Sequence, residues 1–216
     1  MSQTMTIDFV SDVACPWCAV GLASFERALQ ELGDEIAVEL HFQPFELNPT
    51  MAPEGADAAE YLIAKYGMSR EQLAVNRARI AERGAAVGFT FGERKHVWNT
   101  FDAHRLLHWA GIEGAPGSQQ TLKRALLKAY HGEGRNPGAH DVLLELAVAA
   151  GLDVERAREV LAGNAFADEV REAERFWQQA GIHAVPAVVI NRRHLISGGQ
   201  PPEVFVQALR QIAAEG

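Results

Sequence analysis

Residues 6–10, a β-branched and aromatic run, lead through Ser11 and Asp12 directly into Cys15-Pro16-Trp17-Cys18, after which the apolar residues fall at helical spacing. The run reads as a short buried strand. Val20, Leu22, Phe25, Leu29 and Leu32, with Gly33 as a stop, predict a helix over residues 16–32. Both cysteines therefore stand at a strand-to-helix junction. There Cys15 meets unpaired backbone N–H groups and the positive end of the helix dipole, which favour thiolate over thiol. Pro16 suits the first helical turn, where a missing N–H costs nothing. Cys15 is thus the candidate nucleophile, and Cys18, one turn inward, is the candidate resolving thiol that attacks a mixed disulfide formed at Cys15.

These are the only two cysteines in 216 residues. One bridge between positions three apart restrains almost no chain entropy, which excludes a disulfide-stapled scaffold. A zinc site is the competing use, because His104 and His108, four apart on a predicted helix, would complete a two-cysteine, two-histidine set. Zinc-binding cysteines usually sit on a tight knuckle rather than opening a long amphipathic helix. Dithiol–disulfide chemistry is therefore the reading adopted, and no metal is assigned. A non-enzymatic zinc or interaction protein stays as a third reading.

Composition narrows the partners. The hydrophobic fraction, 48%, is that of a folded globular chain and excludes dominant disorder. The net charge of −8 disfavours nucleic acid and anionic membrane surfaces unless a local basic patch offsets it. No such patch is evident: Arg192 and Arg193 form only a pair, and the arginines between 77 and 94 alternate with Glu71, Glu82 and Glu93. No apolar run reaches the roughly 18 residues of a spanning helix. Residues 1–5 and the interrupted apolar stretch after them lack the pattern of an export signal, so the expected location is cytoplasmic.

Further along, residues 36–42 alternate as a second strand, followed by a loop rich in proline and asparagine. From about 57 to 179 the pattern predicts helices alone, over 58–66, 70–87, 98–110, 118–130, 139–150, 154–162 and 166–179. Strand character returns at 187–190 and 194–197 as an antiparallel hairpin, and a last helix follows Pro201 and Pro202. The order is a βαβ unit, a helical block, then a ββα unit: an α/β fold with a four-stranded sheet and a large all-helical insertion.

Val185-Pro186 immediately precedes the third strand. A proline facing a ligand site at a strand start suits a cis peptide, although an ordinary trans proline is the default for these residues alone. In the cis arrangement the Val185 backbone could pair with an extended substrate segment beside Cys15. Gly198-Gly199 reads as a turn.

The chain resembles the DsbA family of thioredoxin-fold oxidoreductases, and within it the FrnE-like branch. The resemblance rests on residues 11–18, on Pro44-Phe45-Glu46-Leu47-Asn48-Pro49, on Asn99-Thr100-Phe101-Asp102-Ala103-His104-Arg105, and on residues 181–186 leading to Ile196-Ser197-Gly198-Gly199-Gln200. It implies a thioredoxin-like domain split between residues 1–56 and 166–216, with residues 57–165 inserted. It also implies Cys15 as attacking thiolate, Cys18 as resolving thiol, a cis bond before Pro186, and substrate contacts from Pro16, Trp17, Val185 and Pro186. Periplasmic DsbA oxidants carry His at the position of Trp17, so their strongly oxidising poise is not expected. The C-terminal cysteine pair of some FrnE-like proteins is absent.

The related 2-hydroxychromene-2-carboxylate isomerases and kappa-class glutathione transferases share the architecture but use Ser where this chain has Cys15. The alternative function is thus a glutathione-dependent isomerase or transferase for a small aromatic or polyketide-like substrate. The expected partner is a protein or small-molecule disulfide or thiol, with glutathione a candidate co-substrate and no other cofactor. Monomer and homodimer both stay open. Trp98, Asn99 and His104 fit equally well as cleft residues or as packing and capping residues.

Overall fold

The structure, a computed structural model, describes residues 4–215. Residues 1–3, part of the segment read as lacking an export signal, lie outside them, as does residue 216. Four strands make the main sheet in the order β2-β1-β5-β6: β1 (Met5–Ser11), β2 (Val38–Pro44), β5 (Ala187–Ile190) and β6 (His194–Ser197). β1 runs parallel to β2 and antiparallel to β5, and β5 and β6 form the expected hairpin. The long crossover that parallel pairing requires is α1 (Pro16–Leu32), so the cysteine motif sits at the end of a central strand.

β2 begins and ends two residues later than its alternation suggests. The 3₁₀ turn Gly33–Glu35 delays the start, and pairing of Ser11 with Pro44 prolongs the end. On the other edge of β2, the Gln119 side chain receives the Phe42 N–H at 3.1 Å and donates to the Phe42 carbonyl at 3.2 Å.

α1 and the last helix, α9 (Pro202–Ala214), share one face of the sheet. Phe9, Phe25 and Phe205 form the spine of that core, Phe25 meeting Phe205 edge-on at 5.3 Å between ring centroids. Such aromatic pairs add about 1 kcal/mol beyond their burial. Behind α1, Gly21 approaches Pro186 so closely that an added Cβ would stand 2.9 Å from Pro186 Cγ.

The intervening block is mostly helical: α2 (Ala58–Tyr66), α3 (Arg70–Ala86), α4 (Phe101–Glu113), α5 (Ser118–Leu127), α6 (His140–Ala149), α7 (Val154–Ala162) and α8 (Ala167–Gln179). It is not purely so, because β3 (Ala56–Asp57) and β4 (His96–Val97) pair antiparallel. Two-residue strands leave no alternation to read in a sequence. α4 starts three residues later than its periodicity implies, since Asn99 Oδ1 accepts the Phe101 N–H at 2.8 Å and fixes Trp98 to Thr100 outside the helix. α5 passes into a π-helical turn, Lys128–Gly132. Leu106, Leu122, Leu126, Tyr130, Leu143 and Val160 fill the core of this block, and Val13 and Ala14 of the cysteine loop are part of the same cluster. No helix among the described residues is long and apolar enough to cross a membrane.

Candidate active site

Cys15 is the N-cap of α1, with extended backbone dihedrals and Pro16 just inside the helix. Its N–H donates to the Asp12 carbonyl at 3.2 Å, and the Cys18 N–H donates to the Cys15 carbonyl at 3.0 Å. The two thiols are free, Cys15 being 5% exposed and Cys18 completely buried. The hydrogen bond from the Cys18 thiol, aided by the N–H groups of Cys18 and Trp17, draws the Cys15 pKa below the ordinary thiol value, against burial and the charge of Asp12. Cys18 moves well above that value, because burial and the hydrogen bond that it gives to Cys15 both favour its protonated form. Two thiols three residues apart are thereby made chemically unequal.

The Val185–Pro186 peptide is cis, as the family resemblance implied. It lies beside the dithiol, with the Cys15 Sγ 3.5 Å from the Val185 carbonyl oxygen. Pro16 and Trp17 are half-buried at the mouth. The Arg79 guanidinium of α3 stands 5.9 Å from the Trp17 ring centroid, so the helical block overhangs the motif. All six residues assigned from the sequence therefore fall within one locality.

Sequence reasoning gave no role to Asp12, Arg94, Thr100 or His131, and weighed His104 only as a zinc ligand, a cleft residue or a packing residue; these side chains hold the loop from Asp12 to Cys15. Asp12, fully buried, accepts from the Ala14 N–H at 3.0 Å, the Thr100 hydroxyl at 2.9 Å and the Leu47 N–H at 2.7 Å, with His104 Nε2 3.2 Å away. Burial pushes the Asp12 carboxyl up, but His104 and these N–H groups outweigh it and hold its pKa below the usual carboxylate value. Arg94 Nη1 donates to the Ala14 carbonyl at 3.1 Å, and the His131 ring nitrogen meets the Val13 carbonyl at 2.8 Å. Burial and the nearby Arg94 charge lower the His131 pKa to about 3, so the neutral ring donates its single N–H there. Thr100, His104, Arg94 and His131 all come from the helical block. The sequence signals for this network were Asp12 three residues before Cys15 and the two segments that carry the family resemblance, 44–49 with Leu47 and 99–105 with Thr100 and His104.

Trp98, Asn99 and His104 take packing and capping positions. Trp98 stacks on His96 with centroids 5.1 Å apart, Asn99 Nδ2 donates to the Met51 carbonyl, and His104 is committed to Asp12. His108 packs against Phe166, 5.7 Å between ring centroids.

A βαβ–ββα sheet with a dithiol at the N-terminus of its first helix and a cis-proline facing it defines the thioredoxin-fold class of thiol oxidoreductases. More narrowly, the chain belongs to the DSBA-like thioredoxin domain family, whose model matches residues 6–210. It is similar to the structure of a probable DsbA oxidoreductase from Streptomyces coelicolor, 41% identical with a TM-score of 0.90, the match covering 98% of this chain and 91% of that one. The fold is shared with a 2-hydroxychromene-2-carboxylate isomerase, 14% identical, TM-score 0.73, covering 97% of each chain. It is shared also with the cytosolic disulfide reductase DsbM from Pseudomonas aeruginosa, solved with GSH, 19% identical, TM-score 0.61, covering 95% of this chain and 98% of that one. The FrnE-like branch is consistent with these relatives.

Proposed function

We propose that the protein is a dithiol–disulfide oxidoreductase in which Cys15 is the nucleophile and Cys18 the resolving thiol. The observation that carries this reading is the inequality of the pair: a Cys15 thiol favoured as thiolate at the helix start, against a buried Cys18 held protonated. The Cys15 thiolate attacks one sulfur of a substrate disulfide, forming Cys15–S–S–R and releasing the other half as RS⁻, which takes a proton. Cys18 then loses its proton and attacks Cys15 Sγ; the second substrate thiol leaves and is protonated, and the enzyme ends as the Cys15–Cys18 disulfide. The substrate is reduced by two electrons and the dithiol oxidised by two. Glutathione or another thiol returns the pair to its reduced form, and no further cofactor is called for.

The Val185 carbonyl beside Cys15 supports substrate pairing through the backbone, with Trp17 and Pro16 forming the mouth. In the cytoplasm, where the redox poise keeps dithiols reduced, the reaction runs as reduction or isomerisation.

Insulin-disulfide reduction tests the reading. Wild type should be active, Cys15→Ser inactive, and Cys18→Ser should accumulate a mixed disulfide at Cys15. Activity unchanged in Cys15→Ser would overturn it.

The fold shared with 2-hydroxychromene-2-carboxylate isomerase favours a second reading, a glutathione-dependent isomerase or transferase. It predicts turnover that persists in Cys18→Ser, because no resolving thiol is then used.

A further inference from the structure

Three cations are fixed around the dithiol, each through a different part of the cysteine loop or its support. The Arg79 guanidinium, exposed on α3, stands 5.9 Å from the ring centroid of Trp17. That ring is itself held in place, since a Cβ added to Gly199 would stand 3.4 Å from its Cε3. Arg94 Nη1 donates to the carbonyl of Ala14, the residue before Cys15, at 3.1 Å. Lys65, exposed on α2, donates to the Leu47 carbonyl at 2.7 Å and to Asn48 Oδ1. Leu47 in turn gives its N–H to Asp12 of the cysteine loop at 2.7 Å.

Among the described residues none of the three has a carboxylate within ion-pair distance. Arg79 donates no hydrogen bond, and Lys65 keeps one of its three N–H groups free. Sequence order conceals this grouping, because Arg79 and Arg94 lie in a stretch where arginines alternate with acids. In the fold Glu93 pairs with Lys95 at 3.6 Å, while Arg79 goes to Trp17 and Arg94 to Ala14. With a net charge of −8 the chain as a whole repels acidic molecules. The border of the reactive thiol carries the opposite sign.

We propose that Lys65, Arg79 and Arg94 make the mouth of the dithiol selective for acidic clients: extended polypeptides whose disulfide is flanked by Asp or Glu. This deepens the dithiol reading above and rests on it.

Charges at the rim of a binding site act on encounter and register rather than on bond making. The exchange therefore runs as already written, with the client disulfide as oxidant and the Cys15–Cys18 dithiol as reductant. Arg94 stands by the residue before Cys15 and Arg79 over the residue two after it, so carboxylates on either side of a client cystine each find a cation. Arg79 presents a fork that matches a carboxylate, and Lys65 a point charge. The Val185 carbonyl, 3.5 Å from Cys15 Sγ, is placed to receive a main-chain N–H of the same client. Three cations from three segments are more than a thiol with one or two carboxylates engages, which favours a polypeptide over a small carboxylate-bearing disulfide.

The test follows reduction, by the reduced full chain in single turnover, of three peptide disulfides of one sequence whose flanking residues are all Glu, all Gln or all Lys. The second-order rate constants should fall in that order, with a Glu-to-Lys ratio of roughly tenfold or more at low salt. In about 1 M salt, where the screening length is about 3 Å, the ratio should approach one. Arg79→Gln and Lys65→Gln should each lower the ratio by about threefold, the double variant more, and Arg79→Lys should retain it. A ratio between peptides is a readout that a general loss of activity or stability does not move, and the salt series needs no variant at all.

Equal constants for the three peptides in wild type, or a ratio unchanged in the double variant, overturn the proposal. Oxidised glutathione is the small carboxylate-bearing control: if the variants slow its reduction and leave the peptide ratio untouched, the polypeptide assignment is overturned. Failure of wild type to reduce any of the peptides overturns the dithiol reading instead.

Discussion

Asp12 Oδ1 and His104 Nε2 stand 3.2 Å apart with neither side chain more than 2% exposed, joining the loop that carries Cys15 to the second turn of α4. The same carboxylate also ties that loop to Leu47 and Thr100. Removing its charge strands several buried donors at once. Asp12→Asn should therefore destabilise the fold by about 3–5 kcal/mol, read by urea unfolding at neutral pH. The folded-state pKa of Asp12 is depressed, so its stabilisation is fully present above the ordinary carboxylate value of 3.8 and is lost as pH falls through the lowered value. Wild type should accordingly show a steeper acid limb than Asp12→Asn. Equal acid limbs would remove Asp12 from this role.

Cys15 should be alkylated by iodoacetamide with a midpoint below that of an ordinary thiol, while Cys18 stays protected at neutral pH. The largest cause of the Cys15 shift is the hydrogen bond from Cys18. Cys18→Ala should therefore move the Cys15 midpoint upward, measured as alkylation rate against pH. An unmoved midpoint would shift the credit to the helix terminus alone.

Gly21→Ala is favoured by about 1 kcal/mol on helix propensity. Here its Cβ would meet Pro186 Cγ at 2.9 Å, and the ring cannot swing aside as a flexible chain end could. The expected outcome is a loss of about tenfold or more in kcat/KM for insulin reduction, through displacement of Val185 from Cys15. Full activity in Gly21→Ala would mean that this close approach is not needed.

Glu46 is 5% exposed and pairs with Arg171, which it shares with Glu174, while Glu46 Oε1 and Glu174 Oε1 are buried with no hydrogen-bond partner. Burial raises the Glu46 pKa to about 6 from an ordinary 4.5, the Glu174 charge adding to it. The fold thus prefers the protonated acid: that stability is fully present below about 4.5 and is lost as pH rises through about 6. Glu46→Gln should raise Tm relative to wild type above that window, by up to about 2 kcal/mol in stability, and the gain should vanish below it. Thermal unfolding at both ends of the window measures this, and a gain independent of pH would contradict it.

The dithiol motif was legible because chemistry and pattern coincide there: a buried strand, two cysteines one turn apart, and helical periodicity from Val20 onward. The β5–β6 hairpin was legible for the same reason, with the polar residues Asn191 to Arg193 between two apolar runs. The support of the site was not. Asp12, Arg94, Thr100, His104 and His131 reach it from segments up to 119 residues apart in sequence, and no local periodicity marks a side chain that bonds a distant carbonyl. The β3–β4 pair escaped because two residues carry no period.

Gln119 makes the two edges of the sheet unequal. Its single amide occupies the N–H and C=O of Phe42, standing in for one residue of a fifth strand. The edge of β2 is thereby blunted at Phe42 against pairing edge to edge with another extended chain. The main-chain pairing proposed for a disulfide substrate would run instead through the Val185 carbonyl, 3.5 Å from the Cys15 Sγ.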